Sequence, residues 1–182
     1  MNTMNTCVLF LRRVARTHSK LENIPSKSSL YFGYSLFFLG NVFHTIAMSA
    51  PHWADGAHGH VGLWVICNRT SPTASCHTFP KSEEWIIFPQ IFAVFTLFLS
   101  LLCAGFIISG FVKETTLPLV HAICNLVLFA GFCSIVSVIY FLRRYNRLGK
   151  VAEYAGWAMK LESVAGSVLL VGGMLLFSLD PS

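Results

Sequence analysis

Two cysteines, Cys67 and Cys76, stand on a polar stretch of residues 53–76, and between them lies the pattern Asn68-Arg69-Thr70. A cysteine pair on one polar loop closes a disulfide where the compartment is oxidising, and Asn-X-Thr accepts N-linked glycan on the same luminal side. Asn68 is thus the candidate glycosylation site, and glycan addition beside Cys67 competes with ring closure. Closing so small a ring constrains the unfolded loop by roughly 2–3 kcal/mol. Four histidines surround the pair: His52, His58, His60 and His77. His58 and His60 alternate to one face of a strand, a spacing that suits zinc. Loop histidines are ordinarily just hydrated, so the expectation is no metal and no cofactor.

Other polar residues sit inside apolar runs, where chemistry has to be weighed against packing. Asn41 and His44 lie three apart, and His121 and Asn125 four apart, which places each pair on one helix face. They read as interhelical hydrogen bonders rather than a proton relay or metal ligands. Lys160 and Glu162 fall near the start of the last apolar run, and the hairpin geometry brings Glu162 towards Arg143 and Arg144. An interfacial ion pair between Glu162 and one of these arginines is the expectation. No Ser/His/Asp arrangement, HExxH motif or phosphate-cradling glycine pattern occurs, so neither an enzyme nor a small-molecule substrate is expected.

The elements that carry these residues are greasy. Of 182 residues, 54% are hydrophobic and only 12% charged, with mean hydropathy +0.63. That is too few charges to clothe a soluble domain. The net charge of +5 and pI near 9.0 come from bases at the ends of apolar runs. Such placement belongs to membrane spans and not to a nucleic-acid surface. The expected architecture is an all-α membrane protein: a four-transmembrane-helix bundle with a small extracellular β-sheet in the first loop. Spans are placed at residues 29–50, 86–112, 118–142 and 156–179. Each is long enough to cross roughly 30 Å of hydrocarbon as a helix. They make up a four-span domain over 29–179, with extracellular loops at 51–85 and 143–155. Small residues Ser100, Ala104, Gly105, Ser109 and Gly110 are the expected close-approach positions of the second span. Cys103, Cys124 and Cys133 read as buried small hydrophobes.

Residues 1–28 form a basic segment, with Arg12, Arg13, Arg16 and Lys20 against a lone Glu22. Its composition suits a transit peptide, yet a luminal disulfide and sequon downstream favour a cytosolic tail. Lys and Arg counts on the two sides nearly cancel. The cysteine pair and sequon decide the sidedness, giving both termini, including the short 180–182 end, to the cytosol of a multi-pass plasma-membrane protein.

Within the first loop, glycines 56, 59 and 62 exclude a helix, and the run from His60 to Cys67 has the β-branched and aromatic residues of a strand. A second strand follows from Cys76 through Phe79. Trp53, Trp64 and Trp85 belong at headgroup level or between loop and helix ends. Four spans with Trp53, then Gly62-Leu63-Trp64, then Cys67 and Cys76 resemble the claudin and peripheral myelin protein superfamily. The short Trp53-to-Trp64 interval and the sequon beside Cys67 are closest to its epithelial membrane protein and lens fibre membrane intrinsic protein branch. Three departures stand out: the longer N-terminal segment, Lys160, Glu162 and Ser163 in the fourth span, and no Tyr-Val ending. The resemblance implies a left-handed bundle without enzymatic activity. It implies cell–cell contact, membrane organisation or growth control through lateral or trans association, with the lipid bilayer and other membrane proteins as homo- or hetero-oligomeric partners. The alternative is a paracellular pore or an auxiliary channel-modulating subunit. With Asp55, Glu83 and Glu84 set against Arg69, Lys81 and four histidines, such a pore favours anions at low pH.

Overall fold

A computed structural model describes residues 27–56, 59–68, 75–80, 83–112, 117–147 and 154–178. Residues 1–26, His58, Arg69 and Thr70 of the sequon, Lys81, residues 113–116, Lys150 and residues 179–182 lie outside the described residues.

Four long helices make the body: α1 (Lys27–Ser49), α2 (Ile87–Val112), α3 (Leu117–Arg147) and α4 (Trp157–Ser178). Three stretches are long and apolar enough to cross a membrane: Glu84–Ser109, His121–Arg147 and Trp157–Phe177. Helix α1 is not among them, although four such spans are expected from the sequence. With 23 residues it suffices in length. However, Tyr31, Tyr34, Ser35, Asn41, His44 and Thr45 dilute its apolar run. Helix α1 packs along α4, α4 along α3 and α3 along α2, while α1 and α2 touch only slightly.

Small residues set these spacings. A Cβ on Gly131 of α3 would meet the Gly166 carbonyl oxygen of α4 at 3.0 Å, and one on Gly40 of α1 would meet Leu169 Cγ at 2.9 Å. Such close approach is what selects one helix partner in an apolar surrounding. Gly105, expected as a close-approach position of the second span, instead faces open space, and Ser109 is exposed. Close packing is made by α1, α3 and α4, whose glycines face partner helices.

The first loop folds into β1 (Ala54–Gly56), β2 (Gly59–Val61), β3 (Val65–Asn68) and β4 (Ser75–Thr78). A fifth strand, β5 (Tyr154–Ala155), comes from the α3–α4 connection and closes the antiparallel order β4-β3-β2-β1-β5. The two loops therefore share one end of the bundle. The single strand expected from His60 to Cys67 is two strands, because Gly62-Leu63-Trp64 makes a turn whose Gly62 N–H donates to the Val65 carbonyl at 2.9 Å. The strand expected after Cys76 starts one residue earlier, at Ser75, and ends at Thr78.

Buried apolar residues form two clusters. One joins sheet to bundle through Trp53, Ala54, Leu63, Phe141, Tyr145 and Ala158; the other fills the far half around Phe37, Ile107, Ile123, Val127 and Leu169. Between them in sequence on every helix lie buried polar side chains: His44, Thr96, Ser100, Ser134, Ser137 and Glu162. Cys103, Cys124 and Cys133 are buried in the bundle, as small hydrophobes are.

Candidate functional site: a polar thread and a docked sheet

The thread begins on α4. Glu162 is wholly buried, and both its carboxylate oxygens face the Nδ1 of His44 on α1, at 2.8 and 2.9 Å. Ser134 of α3 donates its hydroxyl to Glu162 Oε1 at 2.5 Å. The other ring nitrogen of His44, Nε2, donates to the Ala93 carbonyl of α2 at 3.1 Å. One chain of polar contacts thus links α2, α1, α4 and α3. Ser137 extends it, donating to the Pro89 carbonyl at 3.0 Å across the α2–α3 contact, while Thr96 donates to Phe92 of its own helix at 2.9 Å and lies 3.4 Å from the Ala130 carbonyl of α3. Proline has no N–H, but its carbonyl still accepts, and here it receives a hydroxyl from the neighbouring helix.

A buried carboxylate is costly alone and tolerable when paired and hydrogen-bonded. The His44–Glu162 pair is neutral overall whichever partner holds the shared proton. Ser134 bonds the carboxylate and not the ring, and His44, Ser134 and Glu162 are each 0% exposed. The geometry therefore serves helix-to-helix bonding and offers no substrate an approach to the serine.

This arrangement corrects the expected ion pair of Glu162 with Arg143 or Arg144. Both arginines are exposed, and among the described residues no ion pair joins either to Glu162. The reason is length. Helix α3 runs on to Arg147, and the residue level with Glu162 is Ser134. Arg143 lies nine positions beyond Ser134, which is about 13 Å further along a helix axis. The extension is held by Phe141 and Tyr145, whose rings stack with centroids 5.7 Å apart. One helical turn separates the two, and they pack on Trp53 and Trp85 beneath the sheet.

The other interhelical expectations divide. His44 bonds two neighbours, but the Asn41 amide donates to Phe37 of its own helix at 2.8 Å. Asn125 is exposed on α3 and His121 half-buried.

The docked sheet uses the other set of singled-out residues. Trp53 is fully buried and its indole N–H donates to the Ala47 carbonyl at 2.8 Å, while its ring meets Phe141 edge-on at 5.2 Å. Leu63 is also fully buried, and the Gln90 amide donates to its carbonyl at 2.7 Å. Trp64 lies at the rim, 37% exposed, donating to the Met48 carbonyl at 2.8 Å. Trp85 donates to the Glu83 carboxylate. Gly62 has a steric reason: a Cβ there would sit 2.7 Å from Pro51 Cα and 2.9 Å from the Ala50 carbonyl oxygen, both backbone. Gly156, at the head of α4, is pressed in the same way against the His52 carbonyl. Cys67 and Cys76, direct cross-strand partners on β3 and β4, form the disulfide. Asn68 ends β3 and is exposed.

Sequence reasoning singled out His44 and Glu162 but not their pairing, and it missed Ser134, β5 and Gly156. Spacing carries no signal between residues 118 positions apart on helices whose ends are misjudged by five residues. No protein-family model matches the chain, and comparison with curated proteins gives no match either.

Proposed function

We propose that the chain is a four-span plasma-membrane protein of the claudin and peripheral myelin kind, acting in cell–cell contact or membrane organisation through lateral and trans association. The observation that carries this reading is the rigid head: a disulfide-closed sheet, anchored by buried Trp53 and Leu63, leaving its edge strand β4 exposed from Cys76 to Thr78. An exposed strand edge is a template for pairing with another chain. Helix surfaces support the membrane part. Phe32, Val42, Ile91, Leu101, Phe132 and Met174 point outwards while His44, Ser134 and Glu162 face inwards, the polarity of a bundle in lipid.

Helix α1 crosses beside α4 on this reading, its His44 satisfied within the protein as the bilayer demands. On this reading the sheet lies outside the cell and both termini in the cytosol, a sidedness that the disulfide supports. Exposed Asn68 then carries the glycan. Association in place of catalysis fits the sealing of the serine–carboxylate–histidine group inside the bundle.

The test uses cells expressing the full chain under two different tags, mixed and treated with a membrane-impermeant crosslinker. Adducts within and between cells are expected, and Thr78→Pro, which removes an N–H on the side of β4 facing away from β3, should deplete the between-cell ones. A chain that stays monomeric and partnerless contradicts the proposal. A change in ion selectivity across an expressing monolayer would favour a pore instead.

A further inference from the structure

On the sheet, the side chains of His52, Asp55 and His60 offer three metal-ligating atoms that all lie within 4.8 Å of one another. We propose that these three residues form a zinc site on the face of the sheet, independent of the claudin-like reading. The grouping differs from the His58–His60 spacing that the sequence suggests, because it is built from cross-strand register. Asp55 on β1 and His60 on β2 are direct antiparallel partners. Their side chains therefore leave the same face about 5 Å apart. His52 is brought over them from the loop before β1: its ring stacks on that of His60 at a centroid distance of 4.0 Å, and its Nδ1 meets Asp55 Oδ1 at 2.8 Å.

The frame beneath is fixed. The His52 carbonyl accepts the Ala158 N–H at 3.0 Å, Trp53 is fully buried between the bundle and the sheet, and its carbonyl accepts the Gly156 N–H at 3.0 Å. Only side-chain rotation is then needed to bring the ligating atoms to the roughly 3.3 Å mutual separation of a tetrahedron with bonds of about 2.0–2.2 Å. Two imidazoles and one carboxylate suit zinc, with water as fourth ligand, and a site of this donor set binds as the ring nitrogens lose their protons. Solvent reaches it, since the side chains of His52 and Asp55 are 29% and 37% exposed. His60 also lies near Cys67 and Cys76, but the disulfide occupies both sulfurs, so the oxidised head directs the metal to the nitrogen–carboxylate side.

The experiment titrates zinc into the full, untagged chain in detergent with the Cys67–Cys76 disulfide intact. About one zinc per chain is expected, with Asp55→Asn and His60→Gln each weakening binding by about 10-fold or more and His77→Gln leaving it unchanged. Mapping of the disulfide in each variant separates lost binding from lost folding. Should either variant misfold, cobalt(II) on the wild-type chain decides: intense visible bands of a four-coordinate nitrogen and oxygen site support the proposal. A six-coordinate spectrum, no bound zinc, or binding indifferent to both substitutions in folded protein overturns it.

Discussion

The bundle interior and the junction between sheet and bundle are fastened by opposite chemistries. Inside the bundle, the contacts that single out one helix arrangement are polar: Glu162 with His44 and Ser134, then His44 with the Ala93 carbonyl. At the junction they are apolar and aromatic, with Trp53, Leu63, Phe141 and Tyr145 buried. The proposed surroundings account for the inversion. Lipid tails are as apolar as leucine, so burying leucine between spans favours no partner over another, whereas a hydrogen bond or a glycine-to-backbone contact does. At the water-facing end the hydrophobic effect operates again, and one buried tryptophan holds a sheet.

Breaking the polar side should have the largest effect. Glu162→Ala or His44→Ala alone leaves a buried polar group without its partner and is expected to cost about 3–5 kcal/mol, read as a lowered unfolding midpoint in detergent. Trp53→Ala attacks the apolar side by emptying a packed site, at about 3 kcal/mol, and should expose the Cys67–Cys76 head to protease before the helices unfold. Cys67→Ser loosens the sheet's far edge, with a loss of about 2–3 kcal/mol that reduction of the wild-type chain should reproduce. Ser134→Ala removes one hydroxyl from the carboxylate, about 1.5 kcal/mol, by the same midpoint measurement. Smallest of all, Arg143→Gln and Arg144→Gln should leave the midpoint where it is, and swapping either arginine with Glu162 should rescue nothing. A rescue would restore the interfacial pair and weaken the contrast between the two regions.

Three of the helices were legible as apolar runs of span length and α1 as a helix more diluted by polar residues, and the disulfide because just two cysteines sit on a polar loop. The sheet was legible in outline. Its split at Gly62-Leu63-Trp64 was not, since valine and isoleucine on both sides read as one continuous strand until Leu63 is seen plunging into the bundle. The two-residue β5 has no periodicity of its own and exists only because β1 offers it an edge. The polar thread was half legible: a glutamate in an apolar run must have a partner, but which partner depends on how far α3 extends, and that is set by Phe141 and Tyr145 packing under the sheet. Likewise, the histidines were visible as a group, while the subset that meets Asp55 follows from strand register.

The central claim is that His44 and Glu162 form one unit joining α1 to α4. A double-mutant cycle on unfolding free energy, with His44→Ala, Glu162→Ala and both together, measures it directly. The expected coupling is about 1.5–3 kcal/mol, the double variant losing that much less than the sum of the singles. Two losses that simply add would contradict it.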